Sequence, residues 1–510
     1  MRQQGAVISV SPVNPRIHAV HDMDGAGARE YAGLHDYDGK IQDLSPAGVS
    51  AGLARLGKGP TEADSHDEAH LAAAEAKMRL LYGTAEIHRW NPGVHIANLD
   101  LASYDREYAP AEERAAAKHA HLAHWPEAVD AAVSALDRVS APVARSLLPS
   151  VAGLGASLPA DGSAPESADA LARLVAHLER AAEEGSPDAA LGSPLLTQLL
   201  GETESTSVDL SRLGAAAEGE SERLVAMLTE ACGRLEPGAK AADVVKRLSA
   251  DHPDADGVAE EAERLIVEAS EFAVERRLLP ALEGECRVGP APESRRWAMA
   301  MMSWSAPYEA EAPSWYYVTP PDPSWPAADQ ESWLEVFSYT TLPAITVHEV
   351  TPGHFAHGRM LRRAQGDVRR GLFFDAFIEG WAHYAEELMM EEGFRAEDPR
   401  YTIGVCVEAL VRVTRLKASI GIHSGAMTVE DATHAFEQSA FLSGPAARSE
   451  ANRATHDPTY GRYTWGKLEI LRLRDEAIAA WGERYSHLRF HQALMDLGAP
   501  PLGLIGDILS

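Results

Sequence analysis

The sequence predicts a mainly α-helical protein carrying one small β-sheet. Two observations predict it. Apolar residues recur at three- and four-residue steps along most of the 510 residues, the spacing of a helix face. Aromatic and β-branched residues with the content of a strand are concentrated in a single stretch, 286–333. No internal repeat divides the chain. It reads as an N-terminal helical region, 1–285, followed by a region, 286–510, that carries the small sheet and the chemical motifs, the two forming one continuous structural unit.

Taken in order, residues 1–65 are rich in Gly, Pro and Asp and are expected to have mobile ends, with helical turns starting near Asp36 and Pro46. From about Thr61 the pattern turns helical: Leu71, Ala74, Met78 and Leu81 share a face that Tyr82 extends. Alanine-rich helices follow at 110–121 and 125–139. Residues 149–220 are poor in large apolar side chains. LPADGSAPES and GETESTS read there as loops around an amphipathic helix at 171–184. Helices are expected again at 221–232, 241–250 and 259–273. Next comes a cluster of Trp297, Trp304, Tyr308, Trp315, Tyr316, Tyr317, Trp325 and Trp333 among many prolines, in which SWYYVTP reads as a strand. The remainder is helical at 341–353, 372–392, 403–420, 428–442, 464–481 and 488–495.

The composition, 45% hydrophobic and 24% charged, is that of a soluble globular protein. A net charge of −30, from 76 acidic against 46 basic residues, argues against nucleic acid or an anionic membrane as the partner. Cys232, Cys286 and Cys406 are too few and too scattered for a disulfide framework, which suggests buried thiols in a reducing compartment. MRQQGAVISVSPVNPR contains no apolar stretch of signal-peptide length, and no run of about 18 apolar residues occurs, so the cytoplasm is the expected location.

The chemical signal is His348-Glu349-Val350-Thr351-Pro352-Gly353-His354, followed 25 residues later by Glu379 in EGWAHY. Two histidines, a glutamate beside the first and a second glutamate further on are the parts of a catalytic zinc site. His348, His354 and Glu379 are the expected ligands of one Zn2+ per chain, leaving a position open for water. Glu349 is the expected general base toward that water and the later proton donor to the leaving amine. The usual zinc helix spaces its histidines four apart. A spacing of six on a straight helix would turn the imidazoles about 120° apart. Pro352 and Gly353 are expected to bend or bulge the helix and bring His354 back beside His348. Asp375, His383 and Glu386 share the Glu379 face at i−4, i+4 and i+7 and are candidates to hydrogen-bond the ligand histidines.

HEVTPGH followed by EGWAHYAEE resembles the bacterial proteins grouped as domain of unknown function 885. That family is similar in fold to the thermostable metallocarboxypeptidases, within the gluzincin class of peptidases. The resemblance is strongest from about Tyr316 onward, with NLDLASYDREYAPAEERA a further match in the N-terminal half. It implies a large helical metallocarboxypeptidase-like fold with a deep active-site cleft, and the same ligands and base by position. ALVRVTRLKASIGIHSG resembles a family segment of two arginines, an acidic residue and a Gly-x-His. Arg412, Arg415 and His423 fit, while Ser419 stands at the acidic position. In DPTYGRYTWGKLEILRLRDEA, Tyr463, Gly466 and Arg474 match. Tyr463 and His423 are candidate donors to a developing oxyanion. Arg412, Arg415 and Arg474 are candidates to grip a substrate carboxylate with two parallel hydrogen bonds. An exposed edge of the SWYYVTP strand would hold an extended peptide by its main chain.

The expectation is a zinc hydrolase acting on peptides, a carboxypeptidase or small-peptide exopeptidase. Its partners would be a peptide or small amide, neither nucleic acid nor membrane, with a homodimer allowed for. Two alternatives stand beside it: a zinc amidohydrolase on a non-peptide small molecule, and a non-enzymatic helical protein with a structural metal.

Overall fold

The computed structural model describes residues 12–280, 282–292, 295–296, 298–442 and 444–509, with the backbone alone of residue 445. Trp297 of the aromatic cluster and residues 1–11 of the stretch read as lacking a leader lie outside the described residues. The fold is mainly helical with one three-stranded sheet.

Residues 12–65 are helical over much of their length. Helix α1 (Pro15–Asp24) is capped by Asn14, whose side chain accepts from the Arg16 amide, and begins with Pro15 at its first position. Helix α2 (Ala26–Ala32) follows, then a single turn at His35–Tyr37 and a helix at Pro46–Leu53, close to the expected starts. Ile17, Val20 and Met23 bury themselves against Leu71 and Met78 of α3 (Ser65–Met78) and against Phe374. These long-range contacts, rather than local propensity, order the segment. Leu71, Ala74, Met78 and Tyr82 are buried as expected, and Leu81 is half-buried.

Helix α4 (Leu210–Leu235) starts eleven residues before the expected Ser221, because Asp209 caps it by accepting from the Ser211 and Arg212 amides. Its Leu213, Ala217, Leu224 and Leu228 enter the main core.

The sheet comprises β1 (Cys286–Pro290), β2 (Ala300–Ser303) and β3 (Ser314–Val318) in the order β1-β3-β2, with β1 parallel and β2 antiparallel to β3. The SWYYVTP strand is therefore central and offers no free edge, which corrects the expected peptide-holding role. Its Tyr316, Tyr317 and Val318 are core residues.

Six helices of the C-terminal half frame the motifs: α5 (Leu342–Glu349), α6 (His354–Leu361), α7 (Asp375–Glu391), α8 (Pro399–Ser424), α9 (Gly444–His456) and α10 (Arg462–Trp481). Helix α4 packs along α8, and α7 along α10. The α7–α10 crossing is close enough to require glycine on both sides. A Cβ on Gly380 would lie 2.5 Å from Gly466 backbone, and one on Gly466 would lie 1.9 Å from the Ala376 carbonyl oxygen. Beside it, the fully buried Lys467 ammonium bridges Glu220 of α4 and Glu387 of α7, tying three helices together. All three cysteines are free, two buried and Cys286 half-buried. Among the described residues no helix is long and apolar enough to cross a membrane.

Candidate metal centre

The expected bend in one helix is a complete break. Helix α5 ends at Glu349, residues 350–353 leave the helical path, and α6 begins at His354. Two wide backbone bonds replace the usual ladder across the break, from the Gly353 amide to the Val347 carbonyl and from the Ala356 amide to the Val350 carbonyl. Gly353 passes so close to the preceding turn that a Cβ there would sit 1.8 Å from the His348 carbonyl oxygen. The indole of Trp381, from the EGWAHY helix, donates to the Pro352 carbonyl at 2.9 Å and ties the break to α7.

The break brings the two imidazoles together, with ring centroids 4.7 Å apart and planes at 83°. Glu379 of α7 closes the triangle, its Oε2 lying 3.5 Å from His348 Nε2 and 3.5 Å from His354 Nε2. These separations are long for hydrogen bonds. They match the ligand–ligand edge of a tetrahedral site, about 3.4 Å for bonds of about 2.1 Å. Glu379 Oε2 is buried without a hydrogen-bond partner, as is His354 Nδ1. One ligand atom from each of His348, His354 and Glu379 lies within 4.8 Å of the others, the only such group among the described residues. An orphaned carboxylate oxygen facing two imidazole nitrogens fits a divalent cation of the zinc type.

The His348 ring is oriented from behind. Its Nδ1 donates to Glu386 Oε1 at 2.7 Å, which leaves the Nε2 lone pair facing Glu379. Burial pushes the Glu386 carboxyl up, but Arg412, His383 and His348 outweigh it and hold the group below the ordinary range, so it stays ionised. Arg412 reaches both Glu386, at 3.3 Å, and Glu408, at 3.2 Å.

Glu349 is buried beside the triangle, with Oε2 unpartnered. Burial raises its carboxyl above the ordinary glutamate value, against the pull of His354 and His348. It also stands near the sheet, where burial and then the Glu349 charge push the Tyr316 hydroxyl up. The Tyr463 ring lies 6.4 Å from that of His348, inclined by 25°. Burial and then the Glu379 carboxylate raise its hydroxyl, so it stays a proton donor at neutral pH.

The remaining sequence candidates lie elsewhere or have other partners. His383 is buried behind the site, 3.5 Å from Glu386. Asp375 is exposed one turn before Glu379 and contacts neither histidine ligand in any hydrogen bond or ion pair among the described residues. His423 is buried and donates from Nε2 to the Ala454 carbonyl at 2.8 Å; burial lowers its pKa. This engagement removes that nitrogen from the oxyanion role. Arg412 is committed to Glu386 and Glu408, Arg415 forms two 2.8 Å bonds to Glu450, and Arg474 pairs with Glu391 at 2.6 Å. None of the three is a free guanidinium. Ser419, at the expected acidic position, donates instead to the Pro458 carbonyl at 2.5 Å.

Two features escaped sequence reasoning. One is Tyr31 of α2, partly open to solvent, whose hydroxyl is raised by burial and then by the carboxylates of Glu30, Asp375 and the ligand Glu379. It packs with Trp304 and Phe373 at centroid separations of 5.0 and 6.4 Å. No local pattern links a residue in a Gly- and Asp-rich stretch to ligands more than 300 positions away. The second is the Trp381 strap, for which EGW itself was the only signal.

Two solved structures share the whole fold. One is a lipoprotein candidate of unknown function from Shewanella oneidensis, 20% identical, with a TM-score of 0.76 over 94% of this chain and 96% of that one. The other is a lipoprotein candidate from Colwellia psychrerythraea, 15% identical, with a TM-score of 0.76 over 97% of each chain. No curated protein matches the sequence. The family model for bacterial proteins of unknown function, DUF885, matches residues 28–509. The chain belongs to the DUF885 family.

Proposed function

We propose that this protein is a zinc-dependent hydrolase of peptide bonds, a carboxypeptidase or small-peptide exopeptidase. The observation that carries this reading is the triangle of His348 Nε2, His354 Nε2 and Glu379 Oε2, with an unpartnered Glu349 carboxylate oxygen beside it. When bound, a zinc ion supplies Lewis acidity and makes water a nucleophile near neutral pH. Glu349, a buried base of raised pKa, takes the proton from the attacking water and returns it to the leaving amine. Tyr463, protonated at neutral pH, donates toward the oxyanion as charge develops on the scissile carbonyl. Glu386 keeps His348 in the tautomer that presents Nε2.

The test is hydrolysis of N-acetylated dipeptides and their C-terminal amides by zinc-loaded protein, with Glu349→Gln alongside. A carboxypeptidase cleaves the acids in preference to the amides. Glu349→Gln should keep one equivalent of metal and lose about 10²- to 10⁴-fold in kcat. Equal turnover by Glu349→Gln would refute the reading. Activity confined to non-peptide amides would move the assignment to an amidohydrolase.

A further inference from the structure

The three arginines expected to grip a substrate carboxylate are already held by hydrogen-bonded or close ion pairs, whereas a fourth has only one long contact. Among the described residues the guanidinium of Arg453 of α9 donates no hydrogen bond, and its one ion pair is a 3.5 Å contact to Asp457 Oδ2. That carboxylate is already taken by Arg462 through two 2.8 Å bonds. Glu450, the other nearby anion, is gripped by both prongs of Arg415 and accepts from the Tyr460 hydroxyl. Three guanidiniums thus share two carboxylates, and the surplus charge belongs to Arg453.

Its position is fixed without using its donors. Two guanidiniums lie over the Tyr460 ring, Arg415 at 4.8 Å and Arg453 at 4.3 Å from its centroid. A ring contact holds a guanidinium without using its N–H donors, which remain available to receive a carboxylate with two parallel bonds. About a third of the side chain, 35%, is open to solvent. Arg415 lies over both the Tyr460 and the Tyr463 rings, and the Tyr463 ring is 6.4 Å from that of His348, which links the group to the metal centre. Arg415 and Arg462 lie 5.1 and 5.8 Å from the Tyr463 ring.

We infer that Arg453, held over the Tyr460 ring, is the anchor for the free terminal carboxylate of a short peptide substrate. The ligand class rests on the hydrolase reading; the availability of the guanidinium does not. Sequence reasoning passed over Arg453 because its helix carries no large apolar residues and no motif.

The experiment measures binding rather than turnover. N-acetyl-leucine and N-acetyl-leucinamide are titrated by calorimetry into zinc-loaded and metal-free full-length protein. A charged two-pronged contact predicts that the acid binds about 10- to 100-fold tighter than the amide in both forms. Arg453→Met should abolish the preference while leaving zinc stoichiometry unchanged. Arg453→Lys keeps the charge without the fork, guards against a misfolded Met variant, and should lose at least about 5-fold of the preference. An acid preference that survives in Arg453→Met, or that requires the metal, would overturn the assignment. If the wild type shows the Arg453-dependent preference yet cleaves no peptide, the anchor stands and the proposed reaction fails.

Discussion

Gly353→Ala is the sharpest perturbation of the metal centre that leaves every proposed ligand in place. The added methyl would start 1.8 Å from the His348 carbonyl oxygen and 2.5 Å from that of Val347, both backbone atoms that cannot swing aside. Real Cβ contacts essentially never fall below 3.0 Å, so the break must open by the difference, about 1.2 Å. Gly353 immediately precedes one ligand, and the clashing oxygen belongs to the other. The opening is therefore applied directly between the two imidazoles. Metal–ligand distances tolerate about 0.2 Å, roughly a sixth of that displacement. Altering an outer partner of a ligand costs about 10- to 100-fold in affinity, and displacing a ligand must cost more. Zinc affinity, measured by competition with a chromophoric chelator, should fall by more than about 100-fold, with far-UV circular dichroism showing the helices retained. Zinc binding within 10-fold of wild type would refute the argument that this break builds the site.

Three further outcomes follow from the same geometry. Glu386→Gln removes the ionised acceptor behind His348 and should weaken zinc binding by about 10- to 100-fold, read in the same competition assay; unchanged affinity would show that the 2.7 Å bond does not orient the ligand. Gly466→Ala places a Cβ 1.9 Å from the Ala376 carbonyl oxygen and should cost about 3 kcal/mol or more in urea denaturation, since backbone meets backbone and overpacked cores generally lose 1–3; a loss under 1 would show that the crossing can slide apart. Burial holds His21, His70 and His491 neutral, with pKa values lowered to about 3. The unfolded chain takes up protons on these groups below about pH 6.5 while the folded chain does not, so stability is full above 6.5 and is lost as pH falls toward 3, by about 1.4 kcal/mol per pH unit for each group. Urea midpoints that do not fall between pH 6.5 and 5 would contradict this.

Most helices were legible because their large apolar residues keep helical spacing, and the ligands were legible because zinc chemistry limits residue types. What remained hidden has particular causes. Helix α9 buries Ala447, Ala451 and Ala454, all at 0% exposure, so its core face is made of methyl groups that leave no strong apolar pattern. Helix α1 is ordered by Ile17, Val20 and Met23 meeting residues far along the chain. The spacing of six called for a distortion at Pro352 and Gly353, but not for a four-residue break strapped by Trp381. Residue type marked Arg412, Arg415, Arg474 and His423 as binding groups. Only their partners revealed that each is already engaged, and that the Arg453 guanidinium keeps donors to spare.

The central claim is that one ion is held by two imidazoles and one carboxylate. Anomalous diffraction at the zinc absorption edge, from crystals of the zinc-loaded protein, tests it most directly. The predicted result is a single strong peak about 2.0–2.2 Å from His348 Nε2, His354 Nε2 and a Glu379 carboxylate oxygen. A peak bound elsewhere, or none between these three side chains at full zinc loading, would contradict the account.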